Sequence, residues 1–255
     1  QKLETKIIDK KYYFLWIGAN KMKKDSDFSP LKIAIMSDPH LSMTNDLHYK
    51  QWQYALNHAQ KEDHDIYLVA GDLSEAGSKE EFELFQESIE SINKPILYVP
   101  GNHDLGNKKL TGNEGEIDST KIKNYRKNLG ADFHAQNFFG IDFIGLNSQL
   151  FSSGLQEEKD QLLFFESQLA SDVPKIIFMH APLFVTDPKE AGGVYWNAEI
   201  EARIRLLQLL KDRPVLAVIS GHLHRLVVNY TDILFISAPA LSFGLPDFTL
   251  GLGYL

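Results

Sequence analysis

No cysteine occurs among the 255 residues, which excludes disulfides, thiolate metal sites and cysteine nucleophiles together. Long apolar runs are missing too. Nothing approaches the roughly 20 residues of a membrane span, and the longest early run, Tyr12 to Ile17, reads as a short strand. Positive charge is in deficit: 26 Lys and Arg stand against 34 Asp and Glu, a formal net charge of −8. That balance argues against binding a nucleic-acid backbone, which needs a basic face. The early cluster Lys21, Lys23 and Lys24 reads as a solvated turn. Internal repeats and low-complexity tracts are also lacking.

What is present is the alternation of an α/β fold: short β-rich runs separated by amphipathic helical stretches. The expected division is an amino-terminal extension at 1–30 holding one short strand, followed by a single domain at 31–255. A first residue that is not methionine suggests a removed leader and leans toward export, and the apolar end Gly251 to Leu255 suggests a chain that continues. Strand candidates are Lys32–Ser37, Ile66–Ala70, Ile96–Val99, Phe133–Phe138, Ile141–Leu146, Lys175–Met179, Val215–Ile219, Leu226–Tyr230 and Ile233–Ser237. Helices are expected at Asp46–Lys61, after the capping box of Ser78 and Glu81, at Glu157–Leu169 and at Asn197–Lys211, the last carrying Ile200, Ile204 and Leu207 on one face. Two stretches lack periodicity, Leu105–Thr120 and Pro182–Trp196, and each follows a polar strand end.

Those strand ends carry the chemistry. Five apolar strands run into metal-competent residues: Asp38 and His40, Asp72, Asn102 with His103 and Asp104, His180, and His222 with His224. In open α/β sheets ligands gather at the carboxyl ends of strands, so these groups should share one crevice. Imidazole, carboxylate and carboxamide without thiolate suit Zn, Mn, Fe or Co. Seven of these, Asp38, His40, Asp72, Asn102, His180, His222 and His224, are the candidate ligands; they exceed one tetrahedral set but fit two ions if a carboxylate bridges, and paired ions clamp in-line displacement at phosphorus. Glycines precede Asp72, Asn102 and His222, and are expected to turn the backbone sharply there.

Together, Asp38-x-His40, Gly71-Asp72, Gly101-Asn102-His103-Asp104, His180 and Gly221-His222-x-His224 resemble the calcineurin-like metallophosphoesterase family. The resemblance implies a four-layer α/β/β/α sandwich of two mixed sheets flanked by helices. It implies one ion on Asp38, His40, Asp72 and His224, another on Asp72, Asn102, His180 and His222, and a metal-activated water as nucleophile. It further implies that His103 protonates the leaving group while Asp104 orients its ring. Within the family the segments are similar to the class III cyclic-nucleotide phosphodiesterases.

The substrate this implies is a small phosphodiester or phosphomonoester; the alternatives are a phosphoprotein phosphatase or a non-catalytic scaffold, which would be expected to have lost ligands. Tyr195, Trp196 and Arg225 are candidate substrate contacts, weighed against plain burial and an ordinary salt bridge. His48, His58, His64 and His134 read as surface or half-buried polar residues, and Asn45 and Asp46 as helix caps.

Overall fold

The computed structural model describes residues 3–9, 12–17, 31–108 and 115–245. In chain order the strands are β1 (Leu3–Asp9), β2 (Tyr12–Ile17), β3 (Leu31–Met36), β4 (Ile66–Ala70), β5 (Ile96–Val99), β6 (His134–Phe138), β7 (Ile141–Gly145), β8 (Lys175–Phe178), β9 (Val215–Ser220), β10 (Val227–Tyr230) and β11 (Leu234–Ser237). The helices are α1 (Asp46–Lys61), α2 (Lys79–Ile89), the single turn α3 (Asn102–Leu105), α4 (Ser119–Leu129), α5 (Gln156–Gln168) and α6 (Ile200–Leu210). One sheet has the order β1-β2-β3-β4-β5 and the other β10-β11-β9-β8-β7-β6. Both are mixed: β3, β4 and β5 are parallel, as are β7, β8, β9 and β11, with antiparallel strands at the edges.

Three apolar clusters make the layering legible. Because side chains alternate along a strand, Ile33 and Ile35 of β3 and Leu68 of β4 face Phe143, Ile176, Phe178 and Ile219 of the other sheet, closing the central layer. The opposite-facing Ala34, Met36, Tyr67 and Val69 pack under Trp52 of α1, Phe82 and Phe85 of α2, and Ile122 and Tyr125 of α4. On the far side Ile144, Ile177 and Val218 meet Phe165 of α5 and Leu206 and Leu210 of α6. The result is the α/β/β/α sandwich. Among the described residues no helix is long and apolar enough to cross a membrane.

Local signals act as chemistry requires. Asn45 caps α1 by accepting from Leu47 N at 3.1 Å, and Ser78 with Glu81 forms the capping box of α2. Four features differ from the sequence expectation. The extension carries two strands, and both join the β3 sheet. Helix α4, inside a lysine- and asparagine-rich stretch, rests on only three buried residues, Ile122, Tyr125 and Leu129, too thin a stripe to stand out; its signals are the Asp118 cap and Gly130 beyond its end. Helix α6 begins three residues late, because Asn197 bonds back to Glu190 and Ala191. It also buries a different face: Ile200 and Ile204 are exposed, while Arg203, Leu206 and Leu210 point inward. His48 and His64 are buried rather than superficial, each with Nδ1 2.9 Å from a backbone carbonyl, of His40 and Ala59 respectively. The Lys21–Lys24 cluster, the centre of the 105–120 stretch at 109–114 and the Gly251–Leu255 end lie outside the described residues.

Candidate metal centre

The parallel strands of both sheets end on one side, and the loops leaving β3, β4, β5, β8 and β9 bring together all seven candidate ligands. Asp38, His40, Asp72 and His224 form one buried group; Asp72, His180 and His222 form a second. Asp72 is common to both. Its Oδ2 lies 3.5 Å from His40 Nε2 and 3.1 Å from His180 Nε2, while its Oδ1 accepts the His103 backbone N–H at 2.8 Å. His224 Nε2 is 3.1 Å from Asp38 Oδ1 and 3.2 Å from His40 Nε2. On the other side His180 Nε2 is 3.1 Å from both Asn102 Oδ1 and His222 Nδ1. Donors sharing an ion at bond lengths of about 2.1 Å should stand roughly 3.0–3.5 Å apart, which is the spacing observed.

Tautomers make the fit to cations specific. His180 Nδ1 lies 2.8 Å from Ala70 O, His222 Nε2 3.1 Å from Tyr195 O, and His224 Nδ1 2.7 Å from Phe243 O. His40 Nδ1 lies 3.1 Å from the Glu75 carboxylate. Carbonyls only accept, so the outward nitrogens of His180, His222 and His224 must carry the proton, while His40 Nδ1 has only an ion-pair distance to Glu75. As neutral rings, His180 and His222 therefore turn lone pairs toward each other, and His224 turns its own toward Asp38 and His40, an arrangement that is repulsive unless a positive charge sits between. Titration follows the same logic. Burial would raise both Asp38 and Asp72, but His224 and His180 around the first and His180 and His40 around the second hold both carboxyls below the usual range. Burial would lower His180, yet Asp72 and Asp38 lift it to about 9, and would lower His224, which Asp38 likewise raises. Burial wins at His40, pushed to about 4, and at His222, pushed to about 3 by burial and by His180. Without a metal, the cluster gathers protons where a metal cation would sit.

The backbone is bent to achieve this. Asp38, His40, Asp72, His222 and His224 have φ values of 53°, 46°, 51°, 68° and 52°, all in the left-handed region. Such conformations cost about 1–3 kcal/mol each and concentrate at functional sites. Two of the three glycines have a different task from the one expected. Gly71 has φ +84°, but Gly101, at φ −116°, and Gly221 do not need left-handed freedom. They need the missing side chain: a Cβ on Gly101 would lie 2.1 Å from Asp72 Oδ1, and one on Gly221 would lie 2.6 Å from Asp38 Oδ2.

His103 borders the centre, one third exposed, its ring edge-on to His40 with centroids 4.4 Å apart. Asp104 does not orient it. All four lone-pair directions of that carboxylate are taken by Leu73 N, Ser74 N, Ser74 Oγ and Gly101 N at 2.6–3.1 Å, so Asp104 staples the β4 loop to the β5 loop. The His103 ring is held instead by Glu75 O, 2.7 Å from Nδ1. Glu75 thus holds His103 through its carbonyl and sets its carboxylate beside His40, and its sequence offers no signal beyond lying three residues after Asp72. Tyr195 is at the rim, its ring 4.5 Å from that of His222, with half-buried Trp196 5.1 Å behind it. Phe243 covers His224 in the same way, centroids 4.5 Å apart. Arg225 is half-buried at the entry to β10.

A two-sheet sandwich that gathers nitrogen and oxygen donors for two cations at its strand ends is the architecture of a dinuclear metalloprotein. Residues 31–226 match the calcineurin-like phosphoesterase family, and the chain belongs to it. Over 188 residues it is 31% identical to a protein of Arcobacter nitrofigilis named as a probable glycerophosphodiester phosphodiesterase, an alignment spanning 70% of this chain and 63% of that one. Over 139 residues it is 34% identical to the serine/threonine-protein phosphatase CPPED1 of Danio rerio, covering 51% of this chain and 42% of the other. The chain therefore spans less than two thirds of either relative. Among solved structures it is similar in fold to a dimetal phosphatase from Danio rerio, with TM-score 0.58, 15% identity and coverage of 82% and 87%. A purple acid phosphatase from yellow lupin seeds gives TM-score 0.57, 20% identity and coverage of 86% and 46%.

Proposed function

We propose that the chain hydrolyses a small phosphodiester or phosphomonoester using two metal ions. The observation that carries this is the pair of buried donor groups sharing Asp72. Asp38, His40, Asp72 and His224 would hold one ion, and Asp72, Asn102, His180 and His222 the other; this donor chemistry favours Mn, Fe or Zn. When bound, such ions supply Lewis acidity toward phosphoryl oxygens and lower the pKa of water. The chain's own residues do the rest. Asp72 keeps the two donor groups in register while the His103 N–H fixes its second oxygen. His103 keeps its Nδ1 proton on Glu75 O, so in its imidazolium form it carries a second proton on Nε2 to pass to a departing alkoxide, becoming the neutral ring, which is the general-acid role.

The Arcobacter relative favours a diester substrate and the Danio rerio relative a phosphoprotein, so both belong in the test. The chain, reconstituted with Mn, Fe or Zn, is assayed against glycerophosphodiesters, cyclic nucleotides, nitrophenyl phosphodiesters, phosphomonoesters and a phosphoserine peptide. Metal-dependent turnover of diesters above monoesters supports the leading reading, and preference for the peptide supports the second. Turnover of none, with two ions bound, would leave the fold as a scaffold.

A further inference from the structure

The stretch after His180 brings a phenol to the metal centre, and hydrogen bonding dictates where its proton points. Asn102 Oδ1 faces His180 Nε2 at 3.1 Å, on the cation side, so the amide nitrogen faces outward and donates to Tyr195 Oη at 3.0 Å. An amide NH₂ cannot accept. The single proton of the Tyr195 hydroxyl must therefore be given to something other than Asn102, at the mouth of the centre.

This phenol is braced on three sides. Its backbone carbonyl accepts the outward N–H of His222 at 3.1 Å, and its ring packs against the same imidazole. Lys108, nine-tenths buried on the other irregular stretch, donates to Val194 O, to Asn197 O at 2.6 Å and to Glu199 Oε1 at 2.8 Å, gripping the backbone on both sides of Tyr195. A fixed donor beside a cation site suits a ligand with concentrated negative charge on several oxygens.

We propose that Tyr195 is a substrate-binding residue whose hydroxyl donates to a non-bridging oxygen of the phosphoryl group. This deepens the phosphoesterase reading and rests on it. The hydroxyl thereby recognises the phosphoryl group itself, whichever ester carries it.

The test is Tyr195→Phe, which keeps the ring and the backbone carbonyl and removes only the donor. Inorganic phosphate binding to the metal-loaded chain is measured by calorimetry, beside metal content per chain and the thermal midpoint. Phosphate should bind roughly tenfold to a hundredfold more weakly, with metal content and midpoint unchanged and KM rising more than kcat falls. Equal phosphate affinity in both proteins overturns the proposal, as does a wild type that binds no phosphate. Loss of metal in step with loss of phosphate overturns it too, because Tyr195 would then merely brace Asn102. Phosphate binding is read without turnover. A wild type that binds phosphate but hydrolyses no ester of the panel refutes the phosphoesterase reading, while the phosphate comparison still decides whether the hydroxyl donates.

Discussion

Replacing Asp72 with Asn should remove both metal ions at once, and the loss should appear as a missing thermal shift. Asp72 is the one residue common to both donor groups, its Oδ2 facing His40 and His180 from between them. Asparagine suits the experiment because it keeps the volume, tolerates the φ of 51° and preserves an acceptor for the His103 N–H. An ion present at a thousand times its Kd stabilises the folded state by about 4 kcal/mol. For a chain of 255 residues, near 2.1 cal/mol/K per residue, the melting entropy is roughly 0.5 kcal/mol/K, so each ion should raise the midpoint by about 8 °C. Wild type titrated with Mn or Zn should therefore gain about 16 °C, His222→Ala about half of that, and Asp72→Asn almost nothing. Differential scanning calorimetry with metal analysis of dialysed protein reads both quantities. An Asp72→Asn variant that keeps two ions and the full shift would refute the shared carboxylate. Equal shifts in His222→Ala and Asp72→Asn would mean that the two groups do not bind separately.

Three further outcomes follow from the geometry. His103→Ala should lose about 10²–10⁴-fold in turnover on alkyl phosphoesters but far less on nitrophenyl esters, whose leaving groups need little protonation; equal losses would remove His103 from the acid role. Gly101→Ala replaces no candidate ligand, yet its Cβ would fall 2.1 Å from Asp72 Oδ1, so metal content should drop sharply and the midpoint with it; an alanine variant with two ions and an unchanged midpoint would contradict that packing. His134, against Phe178 in the second sheet, is pushed to about 4 by burial. Because the unfolded chain takes up that proton near pH 6.5 and the folded one resists it, stability should fall by ~3 kcal/mol between pH 6.5 and 4. Urea unfolding of His134→Gln should show a flatter slope across that window, and an identical slope would rule out the assignment.

Strand ends were readable in the chain because the chemistry there is written by proximity: an apolar run that must be buried stops, and within three residues comes an Asp, Asn or His. That rule located all seven candidate ligands, and apolar runs located ten of the eleven strands among the described residues. It was enough to expect two sheets and one shared crevice. Choosing the helix face of α6 was beyond it, since Ile200 with Ile204 and Leu206 with Leu210 are both apolar pairs at helical spacing. Packing against the second sheet made the choice. The remaining decisions also required contact between segments far apart in sequence: Tyr195 and Phe243 offering carbonyls to His222 and His224, the Glu75 carbonyl taking the Nδ1 side of His103, Gly101 making room for Asp72, and Asp104 stapling two loops rather than steering His103. Ligand identity is a property of single side chains and is carried by the chain itself. Which nitrogen keeps its proton depends on acceptors lying across the fold, and only the folded molecule supplies them.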